Sequence, residues 1–463
     1  MNYESAVQYI LNIASEKRSK TDHDTLQKYL DLLENPEKNM KFIHIAGTNG
    51  KGSVCAYITS VLNEAGYVTG MFTSPHLVSL RERIAINKNM ISKDLFLEVF
   101  LKVLNIVNTF DDVKSSYNNE NLITNENVNQ PTFFEFMFLM GLVAFDAIGV
   151  DYAIIETGIG GKSDCTNIIP DKEIAVITSI SLDHTNILGS DICSIAGEKA
   201  GIIANSKPVV FDFVSDEVAK VIENTAIQKD SKYLFVQDSD FNITAKSENG
   251  TDFKTKYNSK ECDFNIKLLG EHQVKNAVIA IKALECLTYS NESVFENINQ
   301  LNFNKSDVLK NKLQYEIVFN GIKNTVWAGR LEKIKSGIYV DGAHNEGAIK
   351  IFVKNIRELL YNGDKAHLVF TVASDKSYTK MIKLLCDTDL WDLVSIVDIG
   401  YSRMVENNVL KQLFEEAGIK QIDTYNTFNN AMNHIIENKK PEDKIFFAGS
   451  LYLVGAVKAY FNS

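Results

Sequence analysis

The segment Phe42-Ile-His-Ile-Ala-Gly-Thr-Asn-Gly-Lys-Gly-Ser53 carries the strongest chemical signal in the chain. A short apolar run that reads as a buried strand feeds Gly47, Thr48, Asn49, Gly50, Lys51, Gly52 and Ser53. A helix-forming stretch over 54–65 follows, stopped by Gly66. Glycines let the backbone turn tightly and aim its N–H groups at a phosphate. The start of the helix adds its dipole, and Lys51 supplies a mobile charge for β- and γ-phosphates. The strict P-loop pattern is not met, because Ile45 stands at its first glycine and Gly52 at its Ser/Thr. A strand before and a helix after favour nucleotide binding over a glycine-rich turn with an exposed lysine. Such a loop does not by itself separate a switch, a motor, a kinase and a ligase.

Ligands of open α/β sheets gather beyond the carboxyl ends of the strands, and several useful groups fall there. The run 152–156 ends in Glu156 and continues as Thr-Gly-Ile-Gly-Gly-Lys162-Ser-Asp164. The run 174–180 leads to Ser181-Leu-Asp183-His184, and 67–72 leads to Thr73-Ser74-Pro75-His76. Mg²⁺ beside phosphates takes oxygen ligands and keeps waters, so Glu156 with Thr73 suits such a site. Glu156 also reads as a capping or salt-bridged carboxylate, and His184 as a histidine satisfied by a backbone carbonyl. Lys199, in Glu198-Lys199-Ala-Gly201, reads as a solvated surface lysine. Arg330, in Trp327-Ala-Gly-Arg330, is either a forked phosphate clamp or a surface arginine. Asp341 and His344 close another strand, at 337–345, or form an ordinary strand-to-helix turn.

These groups need a scaffold, and the pattern supplies one. Val- and Ile-rich runs at 42–46, 152–156, 174–180, 209–213, 337–341, 367–372, 393–399 and 444–448 alternate with amphipathic stretches. Runs apolar on both faces, spaced by helical segments, predict an α/β fold with parallel sheets. Residues 115–131 are Asn-rich and read as a surface insertion. Residues 231–266, with pieces at 233–236 and 241–245, read as a small antiparallel section before a helix at 273–287. Polar sequence fills 290–311, and the alternation restarts near Trp327. The expected domains are 1–305 and 306–463, dividing somewhere in 300–325.

Composition narrows the function. Hydrophobic residues make 45% and charged residues 23% of 463, an ordinary globular balance. With 48 Lys and Arg against 59 Asp and Glu, the net charge of −11 disfavours nucleic-acid or anionic-membrane partners. The longest apolar stretch, 136–145, is too short to span a bilayer and reads as a buried helix. No export-signal layout opens the chain, and six scattered cysteines without a Cys-x-x-Cys pair suggest reduced thiols. A cytoplasmic protein is expected.

Taken together, the segments resemble the folylpolyglutamate synthase/dihydrofolate synthase family of the Mur-ligase superfamily. The resemblance is collinear over nearly the whole chain. It runs through HIAGTNGKGS (44–53), TSPHL (73–77) with Arg81-Glu-Arg83, TFFEF (132–136), ETGIGGKSDCTN (156–167), LDHTNILG (182–189), EKAGII (198–203), HQVKNA (272–277), WAGRLE (327–332), DGAHN (341–345) and GSLYLVG (449–455).

It implies an N-terminal P-loop ATPase domain, like the Mur-ligase central domain, and a smaller Rossmann-like C-terminal domain, with the active site between them. It also implies a reaction: ATP phosphorylates a folate carboxylate, and L-glutamate attacks the acyl phosphate. By resemblance, Gly47 to Ser53, Asn276, Arg330 and Asp341 would bind ATP, while Thr73, Glu156 and His184 would hold Mg²⁺, with Ser53 the generic alternative. Lys199 would be a carbamylated metal ligand. His344 and Ser450 would lie near glutamate. Thr132, Phe133, Phe134, Glu135, Ser163, Asp164, Cys165 and the segment 21–24 would contact the pterin substrate, dihydropteroate or a reduced folate.

The sequence departs from the family at Lys162-Ser163, Ala328, Glu346 and Ser377, none of them in the ATP or metal set. A Mur ligase of cell-wall type would carry a UDP-binding domain ahead of the loop, for which 46 preceding residues leave little room. A nucleotide-dependent regulator would not need Glu156, His184, Lys199 and Arg330 together. A monomer is the family's usual form.

Overall fold

The computed structural model describes residues 1–16, 18–117, 130–288, 311–360 and 364–462. The expected insertion at 115–131 and the polar stretch at 290–311 lie, apart from their ends, outside these residues. Eight strands form the first sheet: β1 (Lys41–Ala46), β2 (Thr69–Phe72), β3 (Ile84–Ile86), β4 (Asn89–Met90), β5 (Tyr152–Glu156), β6 (Lys172–Ile177), β7 (Val209–Asp212) and β8 (Tyr233–Val236). Their order is β4-β3-β2-β5-β1-β6-β7-β8, parallel from β2 to β8, with β3 and β4 antiparallel at one edge.

The pleat sends alternate side chains to opposite faces. Ile43, Ile45 and Ile154 pack with the phosphate-loop helix (Lys51–Glu64) and the helix Glu271–Thr288. Phe42, Ala153 and Ile155 pack instead with the helix Phe133–Ile148. That helix opens on a reciprocal capping box between Thr132 and Glu135 and closes on Gly149 at φ 74°, so its bounds follow from local chemistry.

Three antiparallel strands, β9 (Phe241–Ser247), β10 (Gly250–Tyr257) and β11 (Lys260–Ile266), form the expected small section. The piece Tyr233–Val236 does not belong to it. A crossover through the helix Asp216–Gln228 lays that piece parallel to β7 in the main sheet.

The second sheet holds β12 (Glu332–Lys335), β13 (Ile338–Val340), β14 (Lys365–Phe370), β15 (Leu393–Val397), β16 (Ile422–Tyr425) and β17 (Asp443–Ala448). Its order is β12-β13-β17-β14-β15-β16, parallel except for β12. The helix Tyr315–Lys323 packs on the phosphate-loop helix: Ser60 Oγ donates to the Gly321 carbonyl at 2.7 Å, and Val318 and Ile322 join the first core. No helix among the described residues is long and apolar enough to cross a membrane.

Candidate active site

The phosphate loop leaves β1 and enters its helix through Gly50, whose φ of 88° a side chain rarely adopts. A Cβ there would also come within 2.5 Å of Asn276 Oδ1. The loop is braced from the segment that follows β6: the Thr48 N–H donates to the Ser179 carbonyl at 2.7 Å and Thr178 Oγ1 donates to the Asn49 carbonyl at 2.7 Å. A cleft of about 160 Å³ opens over it, lined by Gly47 to Ser53, Glu156, His184, Lys199, Asn276, Arg330, Asp341 and His344. The ATP set expected from the sequence therefore converges on one place, with both domains contributing.

Charge in the cleft is concentrated and shielded. Lys51 and Lys199 both donate to the Gly47 carbonyl, at 3.2 and 2.7 Å. Lys199 is 3% exposed, which corrects its reading as a surface lysine: the helix Ile192–Ala200 turns it inward under the loop. Burial first, then the charge of Lys51, brings its amine down to about 7. Glu156 lies 3.8 Å from Lys51 Nζ and accepts the Ser74 N–H at 3.1 Å. Burial raises its pKa, opposed by Lys51 and then by the Ser74 N–H.

The second domain supplies a preset frame. The Asp341 carboxylate accepts the N–H groups of Leu331 and Ala343, each at 2.7 Å, fixing the turn that carries Arg330. His344 Nδ1 sits 2.6 Å from the Gly342 carbonyl, which can only accept, so Nδ1 carries the proton and Nε2 is left an acceptor. Desolvation holds this ring at about 4, neutral at physiological pH.

Ser53 Oγ is buried and has no hydrogen-bond partner, an orphaned oxygen in the lining of the cleft. Glu156 and this hydroxyl are oxygen donors of the kind Mg²⁺ takes when phosphate oxygens and water complete its shell, and the His184 imidazole, a nitrogen donor, lines the same cleft. Among the described residues, no three His, Cys, Asp or Glu side chains cluster as a metal site on their own. Thr73 lines not the phosphate cleft but an adjoining cavity of about 260 Å³, walled by Met71, Leu77 and Trp327; Ser74, Glu156 and Arg330 face both.

Residues 45–284 match the Mur ligase middle domain and residues 329–451 the Mur ligase, glutamate ligase domain. The dihydrofolate synthase/folylpolyglutamate synthase of Bacillus subtilis is 31% identical over 439 residues, 94% of this chain and 93% of its own. This chain belongs to the same family of Mur ligases. Its fold superposes on Mycobacterium tuberculosis folylpolyglutamate synthase complexed with ADP and AMPPCP, with a TM-score of 0.82, 25% identity and coverage of 100% and 99%. A folylpolyglutamate synthase complex with AMPPCP and folate gives a TM-score of 0.78 at 26% identity, covering both chains fully.

The remaining expected residues of this Mur ligase lie apart from the two cavities. Glu135 accepts the Thr132 N–H at 2.8 Å, the Thr21 N–H at 3.1 Å and the Thr21 hydroxyl at 2.7 Å. Asp164 accepts from the Ile159 N–H at 2.9 Å and from Thr166 Oγ1 at 2.6 Å, shaping the loop after β5. Phe134 packs on Phe72, and Phe133 lies 4.9 Å beneath the Arg83 guanidinium. Ser163 Oγ donates to Glu198, and the Cys165 thiol is pushed up by burial. Ser450 is buried and accepts the Tyr452 N–H, while its neighbour Leu451 faces the cleft. His272, Gln273 and Ser74 also line the cleft. They sit inside or beside the quoted motifs, but nothing in their spacing singled them out.

Proposed function

We propose that this chain ligates L-glutamate to a folate carboxylate at the expense of ATP, accepting dihydropteroate as well as reduced folates. The observation that carries the reading is the meeting of the phosphate loop, Glu156, Lys199, Arg330 and His344 in one cleft between the two Mur-ligase domains. A carboxylate is a poor electrophile; transfer of the γ-phosphoryl group gives it a phosphate leaving group. Lys51 and Arg330 neutralise charge on the transferring group and then on the tetrahedral oxyanion. The neutral His344 presents Nε2 as an acceptor for the incoming amine, near Ser450. Loss of phosphate leaves the amide, ADP and phosphate.

Ser53, Glu156 and His184 would hold a Mg²⁺, with Thr73 on the neighbouring wall, and bound Mg²⁺ would add charge neutralisation at the phosphates. A lysine amine at about 7 is substantially neutral and nucleophilic, so Lys199 suits reaction with CO₂ to a carbamate. The acceptor's carboxylate end enters through the adjoining cavity, and its ring end lies beyond Arg83, toward Thr132–Glu135 and Ser163–Cys165. The packing of the helix Tyr315–Lys323 on the phosphate-loop helix supports a domain division after it, and a cleft complete within one copy supports a monomer; we place the enzyme in the cytoplasm.

The test is ADP release with ATP, Mg²⁺ and L-glutamate, run with dihydropteroate and with tetrahydrofolate in parallel. Release dependent on glutamate and on both acceptors is expected. Release that ignores both acceptors would support a nucleotide-dependent regulator and overturn the reading.

A further inference from the structure

Both carboxylate oxygens of Asp183 are taken by donors from the second domain. Lys376 Nζ lies 3.1 Å from Oδ1, and Asn345 Nδ2 lies 3.1 Å from Oδ2. The Asn345 amide also donates to Asn49 Oδ1 at 3.0 Å, on the phosphate loop. The 179–184 loop is itself bound to the phosphate loop: Thr48 Oγ1 donates to the Ser181 carbonyl and accepts the Ser181 N–H, each at 3.1 Å. Phosphate loop, Asp183 loop and second domain thus form a closed circuit of hydrogen bonds.

Three features make this circuit more than a surface contact. The Asp183 and Lys376 side chains are each only 13% exposed, so their attraction is poorly screened. The charged members make stronger hydrogen bonds than neutral pairs do. Asp183 lines the nucleotide cleft, but neither Lys376 nor Asn345 does, so what the second-domain pair contacts there is Asp183 and the phosphate loop. Each bond from Asp183 to Lys376 or Asn345, and from Asn345 to Asn49, breaks when the domains part.

We propose that Asp183, Asn345 and Lys376 form a closure latch. They are positioning residues, acting through Asn49 and the 179–184 loop to keep the domains shut while the acyl phosphate exists. Its kinetic consequence rests on the ligase reading, because an acyl phosphate exposed to water is hydrolysed before glutamate attacks. Its structural consequence does not.

The test compares wild type with Lys376→Met, Lys376→Arg, Asp183→Asn and the Lys376→Met/Asp183→Asn double variant, each first shown by thermal melting to fold. Small-angle scattering with saturating AMPPCP should show Lys376→Met more extended than wild type and Lys376→Arg restored. In turnover, Lys376→Met should lose 10- to 100-fold in kcat with KM for ATP changed less than about threefold. It should also release more phosphate per amide formed. The double variant should be no slower than the slower single variant. Wild-type scattering and wild-type phosphate-to-amide ratio in Lys376→Met would overturn the latch, as would multiplicative losses in the double variant. If wild type turned over no folate at all, the ligase reading would fall, and scattering alone would still decide the latch.

Discussion

Replacing Lys199 with Met should stabilise the protein and silence it. Lys199 is buried, and its amine drops from the ordinary 10.5 to about 7. At about 1.4 kcal/mol per pH unit, holding that cation in the apo fold costs about 5 kcal/mol below pH 7. Methionine fills similar space without the charge. The hydrogen bond to Gly47 is lost, at about 1 kcal/mol, because Lys51 still donates to the same carbonyl. A net gain of about 2–4 kcal/mol is expected at pH 7.

With about 2.1 cal/mol/K of unfolding entropy per residue over 463 residues, that gain raises Tm by about 2–4 °C. The sign with pH follows from the depressed folded pKa. The unfolded state binds the extra proton between 7 and 10.5, so wild type recovers stability as pH rises through that window. The gap between variant and wild type should be close to zero at pH 10. The assay is calorimetry or urea unfolding of metal- and nucleotide-free protein in CO₂-free buffer at both pH values, beside a turnover assay expected to fall at least 100-fold. A variant less stable than wild type at pH 7 with a pH-independent gap would refute the burial argument. Wild-type turnover would remove Lys199 from the mechanism.

Further outcomes follow from the same geometry. Lys51→Ala should reduce ADP release at least 100-fold, read in the coupled assay, because Lys51 is the loop's one side-chain cation beside Glu156. Gly52→Ala should weaken AMPPCP binding about tenfold by calorimetric titration, since the new methyl would meet the Trp327 ring at 2.6 Å; adding Trp327→Leu should recover part of the loss. Removing Mg²⁺ with EDTA should abolish turnover and leave the circular dichroism spectrum unchanged, as the first core is closed by apolar packing rather than by a metal.

The strands that build the cleft were readable because they are buried on both faces: β1, β5, β6 and β7 are continuous apolar runs bounded by glycines and polar turns. The edge strand β16, Ile-Asp-Thr-Tyr, has no such signature and was not read. The phosphate loop announced itself by local chemistry alone. Lys199 did not, since its local sequence is that of a solvated helix end and its burial arises from Gly47, 152 positions away; only the collinear motifs drew attention to it. Asp183, Asn345 and Lys376 share that difficulty, because their partners lie 162 and 193 residues apart. Thr132 and Glu135 show a local signal that the motif resemblance passed over. The resemblance implies a substrate contact for them, whereas their Thr-x-x-Glu spacing is that of a capping box, and the structure shows the capping box formed.

The central claim is that the chain activates a folate carboxylate as an acyl phosphate, and isotope transfer tests it directly. A folate substrate carrying ¹⁸O at both oxygens of the reacting carboxylate would be turned over with ATP and L-glutamate, and the released phosphate analysed by mass spectrometry. One ¹⁸O in each phosphate is expected, because the carboxylate oxygen leaves with the phosphoryl group it attacked. Phosphate free of ¹⁸O, formed alongside the amide, would contradict the account.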